Sequence, residues 1–364
     1  MELQIGVVGL GAIGRDHVKR LTERITGCKV AAVSEMNEEL GRKVAQQYNA
    51  KFYADGEELI NSPEVQAVMV TTWDPAHAQY VLAAIRAGKY VFCEKPLATE
   101  VSECETILAE EQKFGKRIVQ VGFMRRYDPG YVEMKQAIED GKIGLPLIVH
   151  ACHRNMNHAA TMTSEMSIKN SGVHEIDIFR WLLDDEYVSG QVVLPRQSRI
   201  SAGEGLQDPQ IMMLRTKKGI CIDVEISQSS GYGYDIQCEV VGDLGTIRLP
   251  DPPTVITKTD CTRTTAIMPD WQNRFIEAYN IEMQDWVDRV RKGEKLTGAS
   301  SWDGYAACLT AYVLGQCREE GGTAREIRFP EKHVFGCIII ITEQMFANVC
   351  SSLQTFQRFE CRKH

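Results

Sequence analysis

The sequence lacks the features of two large classes of protein. It has no apolar run near 18 residues, the length from which a membrane-spanning helix is suspected. It also has no excess of basic residues, because 41 Lys and Arg stand against 49 Asp and Glu, for a net charge of −8. We therefore expect neither a membrane span nor a basic face for nucleic acid.

Metal-binding and secretory signals are missing as well. Twelve cysteines occur, but no CxxC pair or Cys/His cluster has metal-site spacing, so we expect no metal. Most lie inside predicted strands and helices, as Cys93, Cys152, Cys221 and Cys238 do, which favours buried free thiols in a reducing compartment. Because no signal peptide is found at the N-terminus, we expect a soluble cytoplasmic protein.

A glycine-rich turn near the N-terminus is the strongest signal present. An apolar run over 4–8 predicts a buried strand, 16–25 predicts a helix, and 29–34 predicts a second strand that ends at Glu35. This order of elements is typical of a dinucleotide site, although such a turn also occurs without a ligand. A carboxylate at Glu35 favours NAD over NADP, because it repels a 2′-phosphate. The turn consists of Gly9, Leu10, Gly11, Ala12, Ile13 and Gly14.

Strands and helices alternate along the rest of the first third of the chain. Alternating segments of this length predict an α/β fold with a doubly wound parallel sheet, so we assign 1–122 to an NAD-binding Rossmann domain. The predicted helices cover 38–48, 74–87 and 100–113, with Asp74 as an N-cap before Pro75, and the predicted strands cover 65–72, 90–94 and 117–122.

The pattern changes after residue 122. Residues 123–331 predict an α+β domain for substrate binding and oligomerisation, with a large, mostly antiparallel open sheet and helices on one face. The tail 332–364 contains an apolar run at 334–342, to which we assign no function. Predicted helices cover 129–141, 170–183, 273–292 and 302–318, and predicted strands cover 147–154, 190–195, 210–216, 219–228, 236–241 and 245–249.

Two short motifs carry candidate chemistry. Glu94-Lys95-Pro96 closes a predicted strand at the carboxyl edge of the sheet, where doubly wound folds bind ligands. A lysine is usually a solvated surface residue, and a lone helical histidine is more often structural. Nevertheless, Asn170 and His174 are spaced to share one helix face. An imidazole there suits a general base that removes a hydroxyl proton near pH 7.

These motifs resemble the glucose–fructose oxidoreductase/inositol dehydrogenase (Gfo/Idh/MocA) family over roughly residues 2–330. The resemblance rests on the glycine turn and on Glu94-Lys95-Pro96, and on further stretches at 92–99, 119–127, 153–155, 174–177, 232–239 and 302–305.

The resemblance implies a reaction and an assembly. The reaction is NAD-dependent oxidation of myo-inositol at the 2-hydroxyl to 2-keto-myo-inositol (scyllo-inosose), and the assembly is a homotetramer built through the open sheet. Lys95 would polarise the reacting hydroxyl, and His174 would be the general base. The polyol pocket would be lined by Lys95, Met124, Arg125, His153, Asn155, Asn170, His174 and Tyr234. The cofactor would be bound by Gly9, Gly11, Ala12, Ile13, Gly14, Glu35, Thr72, Trp73, His77, Glu94, Lys95 and Gln120.

One position departs from the family pattern. The family usually has an aspartate four residues before the histidine, where this chain has Asn170, which can orient the imidazole but cannot neutralise an imidazolium. Two alternatives therefore stay open beside inositol oxidation. One is a dehydrogenase for another cyclitol or sugar, such as scyllo-inositol or a hexose. The other is a catalytically weak regulator that senses nucleotide or sugar.

Overall fold

The structure, a computed structural model, describes residues 2–201, 205–252 and 254–330. The chain forms one compact unit up to Arg328, and beyond it only Phe329 and Pro330 are described. The tail 332–364, with its apolar run at 334–342, therefore lies outside the described residues. In the described residues no helix is long and apolar enough to cross a membrane.

The first sheet is a parallel sheet of six strands in the order β3-β2-β1-β4-β5-β6. The strand order reverses between β1 and β4, and in such sheets ligands bind at the carboxyl ends of the strands beside this reversal. The elements are β1 (Leu3–Val8), α1 (Ala12–Glu23), β2 (Cys28–Ser34), α2 (Glu38–Tyr48), β3 (Lys51–Tyr53), α3 (Gly56–Asn61), β4 (Ala67–Val70), α4 (His77–Arg86), β5 (Tyr90–Glu94), α5 (Val101–Phe114) and β6 (Val119–Gly122).

The predicted doubly wound sheet is thus confirmed, with two differences in detail. The sequence pattern missed β3 and α3, because a strand of three residues and a helix of six are too short to show a periodic pattern. The prediction of Asp74 as an N-cap was wrong. Asp74 is instead the first residue of a short 3₁₀ turn, Asp74–Ala76, whose N-cap is Trp73, and α4 begins at His77.

The second sheet has seven strands in the order β12-β11-β7-β10-β9-β8-β15. Its strands pair antiparallel except β7 with β10, which agrees with the predicted mostly antiparallel sheet. The elements are α6 (Pro129–Glu139), β7 (Pro146–Arg154), α7 (Ser164–Met166), α8 (Val173–Leu183), β8 (Tyr187–Val193), β9 (Gln210–Thr216), β10 (Cys221–Ser227), β11 (Asp235–Gly242), β12 (Thr246–Arg248), β13 (Ile256–Thr259), β14 (Thr262–Thr265), α9 (Trp271–Arg274), α10 (Ile276–Lys292), α11 (Ser301–Glu319) and β15 (Arg325–Glu326).

The second sheet is apolar on one face and polar on the other. In β10, Ile222 and Val224 are buried, whereas Cys221 is exposed and Asp223 is half-buried, as expected for a strand with one solvated face. The expectation that Cys221 is buried was therefore wrong. The other cysteines named from the sequence, Cys93, Cys152 and Cys238, are buried free thiols.

In the second half of the chain, two predicted helices differ from the structure and one hairpin was not predicted. The predicted helix over 170–183 begins as a π-helical segment, Ser167–Gly172, which then continues as α8. The predicted helix over 273–292 is divided into α9 and α10 at Phe275. The exposed hairpin of β13 and β14 was missed, because its threonine-rich strands have no buried face.

Helix α10 packs on the first sheet although it comes late in the chain. Met283, Trp286 and Val287 belong to the same buried apolar cluster as Ile5 of β1 and Phe92 of β5. The rings of Trp286 and Phe92 meet edge to face, with centroids 5.6 Å apart. Such aromatic pairs are stabilising beyond the apolar area that they bury. The core of the first sheet is therefore completed by residues far along the sequence.

Candidate active site

The glycine turn connects β1 to α1 with the geometry that a dinucleotide requires. Gly9 has a φ of +94°, which favours glycine, and Gly11 is the N-cap of α1. A Cβ atom on Gly11 would meet nothing within 4 Å, so the backbone is open to an approaching pyrophosphate. A Cβ on Gly14 would collide with the Gly9 carbonyl oxygen, so α1 packs closely against the turn. The free N–H groups at the start of α1, at Ala12 and beyond, suit a phosphate.

Glu35 is hydrogen-bonded to this turn. Its Oε2 accepts a hydrogen bond from Leu10 N at 2.7 Å, and its Oε1 accepts one from Asn37 N at 3.1 Å. Both oxygens keep lone pairs that could accept hydrogen bonds from ribose hydroxyls. The residues of this region therefore fit an NAD-type dinucleotide, with Glu35 placed to discriminate against a 2′-phosphate.

Lys95 follows β5, and its ammonium group reaches across to the π-helical segment before α8. Its Nζ donates to the backbone oxygen of Asn170 at 3.2 Å and to the side-chain Oδ1 of Asn170 at 3.3 Å. Burial lowers the pKa of Lys95, and the nearby Asp74 and Glu94 carboxylates oppose that effect. The ammonium is thus held by neutral amide oxygens, with carboxylates farther out.

Glu94 is fixed behind Lys95 in the sheet. Its Oε1 lies 2.7 Å from His17 Nε2, and its Oε2 accepts a hydrogen bond from Lys95 N at 3.1 Å. Arg20 Nη1 in turn lies 2.9 Å from His17 Nδ1. Burial would raise the pKa of Glu94, but its contacts with His17 lower it overall. Glu94 is therefore a buried carboxylate that positions the backbone from which Lys95 extends.

His174 lies at the start of α8 with its imidazole at the same cavity. Its Nδ1 is buried without a hydrogen-bond partner among the described residues. Burial lowers the pKa of His174 well below its usual range, and the positive charges of Lys95 and Arg125 lower it further. The imidazole is therefore neutral at pH 7, which is the form that can accept a proton.

Asn170 does not orient His174 as predicted from the four-residue spacing. Its side chain instead accepts from Lys95 through Oδ1 and donates through Nδ2 to Asp74 Oδ2 at 3.0 Å. The reason is the π-helical segment Ser167–Gly172, since its wider turn changes which side chains share a face. Asn170 is thus coupled to the lysine and to the first domain.

Arg125 lies behind the cavity and not in its lining. It is 1% exposed and pairs with Glu175 Oε1, while Glu175 Oε2 lies 3.0 Å from His153 Nδ1. His153 lines the cavity, and its ring meets that of Tyr234 edge to face, with centroids 5.6 Å apart. Arg125 therefore supports His153 through Glu175. The sequence pattern contains Glu175 directly after His174, but nothing in it shows that this carboxylate joins Arg125 to His153.

These side chains surround a cavity of about 420 Å³. Most predicted substrate residues line it, namely Lys95, Met124, His153, Asn155, Asn170, His174 and Tyr234. Residues that the sequence did not indicate also line it, among them Asp74, Met156, Asn157, His158, Met162, Ser171, Gln228, Asp270 and Trp271. Five of these nine residues lie on the loops that follow β7 and β10, where no local pattern shows which side chains turn inward.

Ile13 of the glycine turn and the predicted cofactor residues beyond the turn fall into two groups. Ile13, Thr72, His77 and Glu94 line the cavity. His77 connects two loops, because its ring nitrogens lie 2.6 Å from Pro96 O and 3.1 Å from Thr72 O. Three of them do not line the cavity: Glu35 lies at the glycine turn, Trp73 is 80% exposed, and Gln120 is fully buried with no partner among the described residues for its amide atoms.

A dinucleotide-binding edge beside a polar cavity with a lysine and a neutral histidine defines a class of oxidoreductase. Comparison with known families agrees with that class. Residues 3–123 match the oxidoreductase family with an NAD-binding Rossmann fold, and residues 135–324 match the C-terminal α/β domain of the same family.

Individual relatives are also similar over most of their length. The chain is 48% identical over 337 residues to the inositol 2-dehydrogenase of Azotobacter vinelandii, covering 92% of this chain and 99% of that one. It is 50% identical over 313 residues to that of Serratia proteamaculans, covering 85% and 92%. A crystal structure of myo-inositol dehydrogenase from Lactobacillus casei with NAD(H) and myo-inositol is 40% identical, with a TM-score of 0.90 and coverage of 92% and 99%.

The chain therefore belongs to the Gfo/Idh/MocA oxidoreductase family. The predicted family, the oxidoreductase class and the NAD cofactor are confirmed by these matches.

Proposed function

We propose that this protein is an NAD-dependent dehydrogenase that oxidises myo-inositol to 2-keto-myo-inositol (scyllo-inosose). The observation that carries the proposal is that Lys95 and His174 face one polar cavity at the carboxyl edge of the first sheet. The named activities of the relatives from Azotobacter and Serratia, and the ligands of the Lactobacillus structure, support this substrate and cofactor.

In this proposal Lys95 and His174 divide the chemistry of the hydroxyl group. A lysine ammonium has three N–H donors, and Lys95 directs two contacts to oxygens of Asn170, so a donor remains for the substrate oxygen. This donor stabilises the alkoxide character that develops as the carbon loses hydride. The neutral imidazole of His174 accepts the hydroxyl proton. The glycine turn and Glu35 would hold NAD, which would supply the acceptor for the hydride.

The cavity walls suit a ring with many hydroxyl groups. Asn155 Nδ2 donates to Gln228 Oε1 at 3.0 Å, and Gln228 Nε2 donates to Ser171 Oγ at 3.1 Å. Fixed amides of this kind offer donors and acceptors without a net charge, which suits an uncharged polyol. Tyr234 and His153 add a donor and an aromatic wall to the same cavity.

We also propose a cytoplasmic homotetramer that acts in inositol catabolism and assembles through the open face of the second sheet. That face carries paired charges as well as apolar residues. His150 Nδ1 lies 2.6 Å from Asp223, and Arg154 contacts Glu225 at 2.5 Å and Asp235 at 3.2 Å. Ile148 is 37% exposed on the same face. A surface that carries charges of both signs beside apolar residues supports a symmetric contact.

The test is reduction of NAD by the purified full chain with a panel of myo-inositol, scyllo-inositol and D-glucose. We expect myo-inositol to give the highest kcat/KM, with a keto-inositol identified by mass spectrometry. A higher kcat/KM with another polyol would support the alternative of a different cyclitol or sugar dehydrogenase. NAD binding by calorimetry without turnover on any member would contradict the enzyme and favour a regulator.

A further inference from the structure

The cavity contains a carboxylate that the chemistry above does not use. Asp74 lies in the 3₁₀ turn before α4, in the first domain, and its Oδ2 accepts a hydrogen bond from Asn170 Nδ2 at 3.0 Å. Asn170 belongs to the π-helical segment of the second domain and contacts Lys95 through its Oδ1. A single side-chain amide therefore connects a carboxylate to the candidate catalytic ammonium.

The other carboxylates around Lys95 already contact basic side chains. Glu94 contacts His17, and Glu175 contacts Arg125 and His153. Asp74 has no such partner in the part of the chain that the structure describes. The titratable and charged groups that influence Lys95 and its surroundings are Asp74, Glu94, Glu175, Arg125, His153 and His174.

Lys95 needs a nearby negative charge. Its Nζ contacts only the two neutral oxygens of Asn170 among the described residues, in a partly buried position. An ammonium without a carboxylate in such a place loses its proton more readily, because burial disfavours the charged form. Among the carboxylates that raise the pKa of Lys95, Asp74 has the largest effect.

We propose that Asp74 is a positioning residue for the reaction: through Asn170 it fixes the amide so that Oδ1 faces Lys95, and it supplies the negative charge that keeps the lysine protonated. This inference rests on the proposed dehydrogenase function. An amide with its N–H₂ bound to a carboxylate must present its oxygen to the other side, where an ammonium can donate to it. Polarisation along the two hydrogen bonds strengthens both.

The arrangement predicts that the Asp74 carboxylate and the Asn170 amide can exchange positions without loss of their hydrogen bond. In Asp74→Asn the hydrogen bond to position 170 loses its acceptor charge, and Asn170 is free to turn its N–H₂ group toward Lys95. In Asn170→Asp two carboxylates face each other, and like charges at that distance oppose ionisation of both. In the double variant Asp74→Asn/Asn170→Asp the amide and the carboxylate exchange places, so the hydrogen bond is restored in reverse and the lysine regains a carboxylate.

The first measurement is kcat and KM against pH for the three variants on the best substrate of the panel, with Glu58→Gln as the control. Glu58 is an exposed carboxylate of the first domain, so this control removes one negative charge far from Lys95. For Asp74→Asn we expect kcat to fall about tenfold. The alkaline limb of kcat/KM should move down by roughly 1 pH unit, because Lys95 deprotonates more readily without a nearby carboxylate. The double variant should return both quantities to near their original values, and the control should change neither.

The second measurement requires no substrate. The ¹³Cε resonances of labelled lysines are titrated in the full chain, and the signal of Lys95 is identified by its loss in Lys95→Arg. We expect the pKa of Lys95 to fall in Asp74→Asn and to recover in the double variant. An unchanged pKa, or a double variant no better than Asp74→Asn, would overturn the role of Asp74. So would a lower Tm in Asp74→Asn without movement of the alkaline limb, because that result describes only a contact between domains.

The two measurements separate failure of this inference from failure of the proposed function. Absence of turnover on every polyol would contradict the function, while the lysine titration would still decide the role of Asp74.

Discussion

Charged side chains are bound differently in the two halves of the active site. The cofactor half is the glycine turn with Glu35, and the substrate half is the cavity around Lys95 and His174. In the cofactor half, Glu35 is half-buried and accepts its hydrogen bonds from the backbone N–H groups of Leu10 and Asn37. In the substrate half, the charges contact other side chains: the buried Arg125 pairs with Glu175, and Lys95 donates to Asn170. A charge that is bound by backbone N–H groups can be removed without leaving an opposite charge unpaired. Removal of one member of a buried ion pair leaves the other charge buried alone, which lowers the free energy of unfolding.

The largest effect is expected where a buried ion pair is broken. Arg125→Met should lower the free energy of unfolding by about 3–5 kcal/mol, because it leaves the buried Glu175 carboxylate without its guanidinium partner. Urea denaturation at neutral pH measures this change. The matched control is Arg42→Met, since Arg42 pairs with Glu38 on an exposed helix face, where an i,i+4 pair contributes about 0.3–0.5 kcal/mol. Equal losses in both variants would contradict the larger stability cost expected for breaking the buried Arg125–Glu175 pair.

Loss of the candidate catalytic ammonium should affect rate more than stability. Lys95→Ala should lower kcat about 10²- to 10³-fold, comparable to loss of one oxyanion donor, because the alkoxide loses its stabilising charge. NAD affinity, measured by calorimetry, should change little. Lys113→Ala, which removes an exposed lysine from α5, is the control. A Lys95→Ala enzyme with nearly normal kcat would show that this lysine does not act on the substrate.

The neutral histidine predicts the acid side of the pH profile. Because burial and neighbouring positive charges lower the pKa of His174, the imidazole stays neutral as the pH falls below the ordinary value of about 6.5. The proton-accepting form is then lost only at still lower pH. We expect kcat/KM to stay level between pH 7.5 and about 6.5 and to decline only below about 6.5. A decline centred at or above pH 6.5 would contradict this position of the base.

The smallest effect is expected in the cofactor half. Glu35→Ser should narrow the preference for NAD over NADP by roughly tenfold, about 1.4 kcal/mol, because it removes the charge that repels a 2′-phosphate. The free energy of unfolding should change by less than in Arg125→Met. The measurement is kcat/KM for both cofactors with the best polyol. Equal use of NADP by the unaltered protein would rule out Glu35 as the selector.

The sequence was informative where function depends on one continuous segment. The glycine turn and Glu35 lie within a single strand–helix–strand unit, so spacing alone predicted both the elements and the ligand. Lys95 was placed at the carboxyl edge of the sheet because its strand was recognised. Such features require only local geometry, and local geometry is what a residue pattern records.

The substrate half was harder to predict from the sequence, because its contacts join distant segments. Asp74 and Asn170 are 96 residues apart in sequence, and Arg125 and Glu175 are 50 apart. Family resemblance placed Asn170, His174 and Tyr234 in the pocket, but it gave no indication that Asn170 turns to Lys95. Nor did it indicate that Arg125 is buried outside the cavity lining and paired with Glu175. The π-helical segment before α8 also has no periodic signature in the sequence.

The packing of α10 on the first sheet has a consequence for how the chain is made. Residues 1–122 leave the ribosome long before Met283, Trp286 and Val287, which complete the apolar cluster around Phe92. At about 5–20 residues per second, the intervening stretch takes on the order of ten seconds or more to synthesise. During that interval the nascent Rossmann sheet exposes an apolar surface. A holdase chaperone that covers such surfaces would therefore find its binding site on this protein before α10 appears.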